Sequence, residues 1–207
     1  MWQERLSEFV TLLVVLNPIA AIPVFLVATA GLEASEQRKV ALHAALTSFG
    51  VLLFFIVAGG FVLKHMGIAI RAFQIAGGIV LFVFAIGLVL GSMTPVASTA
   101  SSGQSLFARG VYPLAIPKIA GPGAMLTVMI LTDDDRFNLV ERAMTVGVLL
   151  VVLAIQFVVL LAAAPIARVI GDGGTNVIAR VFGMLLAALA VNIVLTAVAE
   201  WLTLPKL

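Results

Sequence analysis

Asn17, Lys118, Gln74 and Arg180 are polar or charged residues set in, or at the start of, long apolar runs. Asn17 stands directly before Pro18 inside the run from Phe9 to Leu32, and Lys118 follows Pro117 inside the run from Gly110 to Thr132. A carboxamide both donates and accepts, so Asn17 can read a zwitterion or order the backbone that Pro18 frees. A charge at the bilayer centre costs at least about 2.5 kcal/mol on insertion scales. Lys118 therefore either faces a partner or water, where it would attract a carboxylate, or snorkels from a bend toward the interface. Gln74 and Arg180 occupy matching places at the start of two later runs. Arg180 can gate, bind a carboxylate or cap carbonyls, or it can simply anchor a span at the interface.

The spacing around these residues is the stronger signal. Pro18 and Pro23 are five residues apart, as are Pro117 and Pro122, and the pairs are offset by 99 residues (117 − 18 and 122 − 23). Each proline removes an amide donor and clashes with the preceding turn, so neither run continues as a regular helix. In lipid, freed backbone groups are tolerated only against protein or a watery cavity. Two proline-interrupted apolar segments at corresponding places in two halves are the sequence pointer to a transporter's binding site. Gly121-Pro122-Gly123 reads as the start of a half-helix whose exposed amides and dipole suit an anionic group such as an amino-acid carboxylate. Gly121 and Gly123 would let a ligand approach the backbone closely, and the stretch ending at Pro23 repeats this more weakly.

These segments belong to a chain that is 62% hydrophobic and 11% charged, with mean hydropathy +1.21, which places it among polytopic membrane proteins. A net charge of +2, with no basic cluster beyond Arg38-Lys39, argues against a nucleic-acid partner. The absence of cysteine excludes disulfides and thiolate chemistry. Glu4, Arg5 and Glu8 make the N-terminal flank net negative, unlike a signal peptide, so the first run is expected to be a retained span.

Six spans fit the apolar runs: Phe9 to Ala30, Val40 to Leu63, Phe73 to Gly91, Gly110 to Leu131, Ala143 to Ala167 and Val177 to Ala199. Each supplies the roughly 20 apolar residues that a hydrocarbon core of about 30 Å requires. Ser92 to Arg109 links the halves, Asp133 to Arg142 joins spans four and five, and Arg168 to Asn176 joins five and six. Gln74-Ile75-Ala76-Gly77-Gly78-Ile79 aligns with Arg180-Val181-Phe182-Gly183-Met184-Leu185, so the third span also has a counterpart in the sixth. Three spans per half is odd, so halves sharing a fold must be inverted relative to each other. Glycine and alanine at four-residue spacing, Gly87 with Gly91 and Ala179 with Gly183 and Ala187, are expected to pack helices closely. Asn192 and Gln156 are expected to hydrogen-bond between helices. Asp133-Asp134-Asp135 lacks the spacing of a diphosphate-binding motif and reads as a solvated loop. No HExxH or GxSxG motif occurs, so an enzyme is disfavoured. No aspartate or glutamate falls inside the expected spans, so a carboxylate proton relay is not visible. Carbonyls released at the four prolines can hold sodium.

Four runs carry a resemblance. Phe9 through Asn17-Pro18, Ala72 through Phe82, Pro113-Leu-Ala-Ile-Pro117 with Gly121-Pro122-Gly123-Ala124, and Arg180 through Ala190 together resemble the MarC family of bacterial and archaeal inner-membrane proteins. The resemblance implies kinship with LysE-type amino-acid exporters, some members moving small neutral amino acids. One departure is Gln74, at a place where the family pattern has arginine, which would leave Arg180 to serve alone. The expectation is an all-α, six-span protein of two inverted three-helix repeats, with residues 1–91 and 110–207 joined by 92–109, and with the first and fourth helices broken. Its site would comprise Asn17, Pro18, Pro23, Pro117, Lys118, Gly121, Pro122, Gly123, Gln74 and Arg180. It would exchange or export a small neutral amino acid by alternating access, without a cofactor, and sodium or protons would be the coupling ion. A lipid or polyprenyl-phosphate flippase, and further off an enzyme acting on a lipid diphosphate, are the alternatives. A multi-pass place in the cytoplasmic membrane and contact with lipid follow, and self-association is left open.

Overall fold

The computed structural model describes residues 2–90, 105–132 and 138–202; between 164 and 180 it describes the side chains of Pro165, Gly174, Val177 and Arg180 only. Regular structure among the described residues is helical throughout. Helices α1 (Trp2–Leu16) and α2 (Pro18–Ala28) meet at Asn17 and together make one span of 27 residues. Helix α3 (Ala34–Phe54) passes through an over-wide turn at Phe55–Gly59 into α4 (Gly60–His65), and α5 covers Ile70–Leu90. A short α6 (Leu106–Arg109) leads through the proline-rich stretch Gly110–Ile119 into α7 (Pro122–Leu131), the two arms bent by 62°. Helix α8 covers Leu139–Trp201. Five stretches are long and apolar enough to cross a membrane, Trp2–Ala28, Ala34–His65, Ile70–Leu90, Leu139–Ala163 and Arg180–Trp201, and the bent pair passes the same test when its two arms are taken together.

Local chemistry explains where the helices begin. Glu33 and Glu36 form a reciprocal capping box at the start of α3, and Asn138 and Glu141 form another at the start of α8. Each satisfies amide donors that the first turn leaves without intrahelical partners. Gly31 and Gly67 take positive φ in the tight connections before α3 and α5, a conformation that glycine adopts without steric cost.

Contacts between helices fix their directions. Arg109 reaches Ala28 O and Lys118 reaches Leu16 O, so the fourth stretch runs antiparallel to α1 and α2. It runs parallel to α3, because Gly110 packs on Val40 to Ala44 while Gly59 packs on Met129. It is antiparallel to α5, since Gly77 meets Pro122 and the Phe84 ring meets Tyr112. The start of α8 runs parallel to α1, through Arg5 to Glu141 O and Thr145 to Glu8. Its far end is antiparallel to α5, through Arg71 with Glu200, Gly78 with Val194, and Gly183 with Ala85 and Leu88.

The two ends of α8 therefore run in opposite directions within one bundle. The chain therefore reverses between Ala163 and Arg180, in keeping with the connection expected at residues 168–176, with helical backbone on both sides of the turn. Pro165 and the glycines at 171, 173 and 174 are the residues able to kink a helix, and glycine weakens helical structure without ending it. Residues 92–104 of the expected linker and the aspartates at 133–135 lie outside the described residues, and the linker's end forms α6.

The interior is built from Leu12, Leu16, Val24, Phe25, Leu52, Leu114, Ile119, Leu149 and Leu160, all essentially inaccessible. Large apolar side chains such as Val14, Phe61, Val83 and Val158 point outward, as they should where the surroundings are lipid. Small residues set the closest approaches. A Cβ on Gly77 would lie 1.8 Å from Pro122 Cγ, and one on Gly183 would lie 3.1 Å from Ala85 O. The packing role expected of Gly183 is thus what the structure shows. Gly77→Ala is expected to cost about 1–3 kcal/mol of stability in detergent, because the proline ring cannot move aside. Gly147→Ala, whose Cβ meets nothing within 4 Å, is expected to be neutral or stabilising. Equal unfolding midpoints for the two variants would contradict this packing.

Candidate functional site

The two broken segments cross at their breaks. Pro18 disfavours helical dihedrals in the residue before it, and Asn17 adopts φ 45, ψ 76, the left-handed region that asparagine tolerates better than most residues. From there Asn17 Oδ1 accepts the amide of Ala20 at 3.2 Å and caps α2. The cap has a cost one turn back. Ala20 N–H is the donor a continuous helix would give to Leu16 O, so that carbonyl is released. Pro18 likewise has no amide for Val14 O.

Lys118 comes from the other break. Tyr112 (φ −126, ψ 130) and Ile116 (φ −124, ψ 127) are extended, the conformation that Pro113 and Pro117 impose on the residues before them. This irregular stretch carries the lysine into the core, 7% exposed, where Nζ donates to Leu16 O at 3.3 Å and Asn17 O at 3.4 Å. Between the two sequence readings of Lys118 the structure chooses the buried one. Its partners are carbonyls released by the opposite break.

Three residues beyond Lys118, Gly121 caps α7 with extended backbone and no side-chain bond to the first-turn amides. The positive end of the α7 dipole therefore opens close to Lys118. A Cβ on Gly121 would lie 2.5 Å from Pro117 O, whereas one on Gly123 would meet nothing within 4 Å. The first turn of α7 thus has room on its Gly123 side. Pro18, Pro23 and Pro117 are buried around the crossing, and Pro122 is held by Gly77.

Sequence comparison fits this arrangement. The MarC family of integral membrane proteins is matched across residues 2–202. The chain belongs to that family. A membrane protein of Aquifex aeolicus is 32% identical over 202 residues, covering 93% of this chain and 94% of its own. The membrane protein YvbG of Bacillus subtilis is 35% identical over 190 residues, covering 90% of each. The inner membrane protein YhgN of Escherichia coli is 28% identical over 199 residues, covering 96% of this chain and 98% of its own. No solved structure matches the chain. This MarC-family chain is a multi-pass protein of the bacterial or archaeal cytoplasmic membrane type, as its relatives and its apolar helices indicate.

Not every expected residue of the MarC-family chain comes to the crossing. Gln74 is half-buried near the start of α5, three residues before Gly77, whereas Arg180 is exposed near the far end of the α5–α8 pair. Because those helices are antiparallel, the two lie at opposite ends rather than in one site. Asn192 is exposed, so the expected bond between helices is not made there.

Other polar groups were missed or misjudged. Gln156 was expected to bond across helices, yet its Oε1 and Nε2 are buried with no hydrogen-bond partner among the described residues. It lies on the inward stripe of α8 formed by Leu149, Val152, Leu153, Leu160 and Ala163. Carried along the parallel helices, the 137-residue offset from Glu8 to Thr145 places Gln156 level with the start of α2. Ser48 Oγ is also buried and unpartnered, while Thr29, Thr127, Thr132 and Thr145 each bond the carbonyl four residues back. Glu8 lies inside α1, not before it, correcting the expectation that no acid enters a span. It is buried against Arg5 at 2.8 Å and Thr145 at 3.3 Å. Sequence marks Gln156 as polar within a span but does not show whether it or Ser48 or Glu8 finds a partner, because that depends on which helix faces each.

Two outcomes follow. Asn17→Ala and Lys118→Met should show a coupling of about 0.5 kcal/mol or more in a double-mutant cycle of unfolding in detergent, since the cap releases a carbonyl the lysine takes. Additive effects would mean that the two act independently. Gln156→Leu should stabilise the protein or leave it unchanged, because an unpaired buried amide costs about 1–3 kcal/mol that leucine avoids. A large loss of stability would show that the amide is satisfied after all.

Proposed function

We propose that this MarC-family chain is a secondary transporter of small neutral amino acids, working by alternating access between two inverted three-helix repeats. The observation that carries the reading is the meeting of the two broken segments, antiparallel and break to break, inside the bundle. Prolines 99 residues apart in sequence lie on either side of that meeting, as a two-fold axis in the membrane plane would require. The alternating directions of the helices support the same inversion. Transport needs irregular backbone at membrane depth, which lipid forbids and a shared chamber permits.

The chemistry suits a zwitterion. Uncapped amides at the start of α7, with Lys118 close by, favour a carboxylate. Gln156 and Ser48 add groups able to donate and accept. A small side chain fits the close packing of Gly77 on Pro122. Rocking of one repeat against the other would expose the crossing to each side in turn.

The direct test is counterflow of labelled glycine, alanine and threonine in proteoliposomes, with and without sodium and a pH gradient. Wild-type protein should exchange at least one of them, and Gly121→Leu should lower the rate by about tenfold or more, because its side chain would press on Pro117 O. Absence of exchange for all three would refute the amino-acid reading, while full activity in Gly121→Leu would move the site away from the crossing.

A further inference from the structure

The Lys118 ammonium sits where a small cation would be expected in a transporter of this architecture. Carbonyls released at helix breaks are the groups that hold sodium in broken-helix transporters. Here Leu16 O is released because Asn17 takes the Ala20 amide, and the carbonyl of Asn17 itself lies beside it at the left-handed break. Both accept from Lys118 Nζ, at 3.3 and 3.4 Å, and the lysine reaches them from 101 and 102 residues away in the chain. Within the buried part of the described bundle, the acidic side chain is Glu8, and it is engaged by Arg5 and Thr145 rather than by Lys118. The lysine thus brings a full positive charge to a pair of carbonyl dipoles, as a bound cation would.

From this geometry we propose that Lys118 is a tethered cation filling a monovalent-cation site made by the Leu16 and Asn17 carbonyls, so that the protein works without sodium. The ligand class of the emptied site is a small monovalent cation, either a metal ion such as sodium or a primary ammonium group such as an amino acid carries. The transport arm of this assignment rests on the function proposed above; the binding arm does not. Simultaneous occupancy is disfavoured: two unit charges about 4 Å apart near a protein's polar interior repel by an amount equivalent to roughly a thousandfold in affinity. A cation can therefore settle on these carbonyls only if the lysine leaves or is removed. The asymmetry of the two halves gains a reason as well. The first-half counterpart of Lys118 is Ile19, which is exposed, so a single tethered charge serves both breaks.

The test uses the full chain in detergent, with sodium chloride, methylammonium chloride and choline chloride at equal ionic strength. Choline is too large to enter and controls for screening. Wild-type protein should show the same thermal midpoint in all three salts. Lys118→Ala should be selectively stabilised by sodium or by methylammonium, with about tenfold more salt needed for each further comparable rise once the site is saturated. A response to sodium identifies a metal-ion site, and a response to methylammonium alone identifies a seat for the ammonium of the solute. Lys118→Met, whose chain still fills the space, should respond to neither. In proteoliposomes, wild-type exchange should be equal in sodium and in choline.

A selective effect of sodium or methylammonium on the wild-type midpoint, or a sodium requirement for wild-type exchange, would overturn the proposal. So would a folded Lys118→Ala that responds to neither cation. If Lys118→Ala does not fold, the wild-type measurements still decide. If no amino acid is exchanged by the wild type, the transport reading falls while the midpoints continue to judge Lys118.

Discussion

A backbone carbonyl without a donor cannot be left in the membrane interior, and this fold is arranged around that constraint. Pro18 and the Asn17 cap release carbonyls in the first span, and the extended residues before Pro113 and Pro117 make the fourth span irregular. Neither segment could face lipid. Brought together, each compensates for the other: the irregular fourth span delivers Lys118 to carbonyls of the first. The same device recurs at the margins. Arg109 donates to Ala28 O near the end of α2, and Arg142 donates to Ile56 O in the over-wide turn after α3. Cations in this bundle serve released carbonyls as much as they serve carboxylates.

The remaining helices hold that crossing closed. Gly77 on α5 seats Pro122, and α5 is in turn backed by the far end of α8 through Gly78 and Gly183. On the other side the start of α8 supports α1 through the buried Arg5–Glu8–Thr145 group. A rigid-body motion of either set would have to slide surfaces with no room for an added methyl group. Small residues permit such contact in lipid, where apolar burial offers no drive for association. Gln156 and Ser48 are buried without hydrogen-bond partners among the described residues, as are single atoms of Gln37, His43 and Arg109. Buried orphans of this kind are rare, and Gln156 lies level with the start of α2, beside the crossing.

Much of this was legible in the letters. The apolar runs located the long helices, although α1 begins seven residues before Phe9 and α3 six before Val40, since about 20 apolar residues in a row have few other uses. Proline at 18, 113, 117 and 122 marked the breaks because its missing amide and fixed ring act locally, whatever packs nearby. The family was readable from the same proline and glycine pattern and is borne out over residues 2–202. The connection between the last two spans was also placed, and the opposite directions of the two ends of α8 agree with it.

What sequence by itself determined, then, is where the backbone must be irregular and that the chain lives in lipid. Both follow from covalent geometry and composition, which need no partner. Tertiary structure alone decided that Lys118 is buried on the Leu16 and Asn17 carbonyls rather than snorkelling, that Gln74 and Arg180 stand apart, and that Gln156 has no mate among the described residues. Each of these depends on which surface lies opposite, a choice made by close packing between residues as many as 137 positions apart. No local rule of spacing can anticipate that choice.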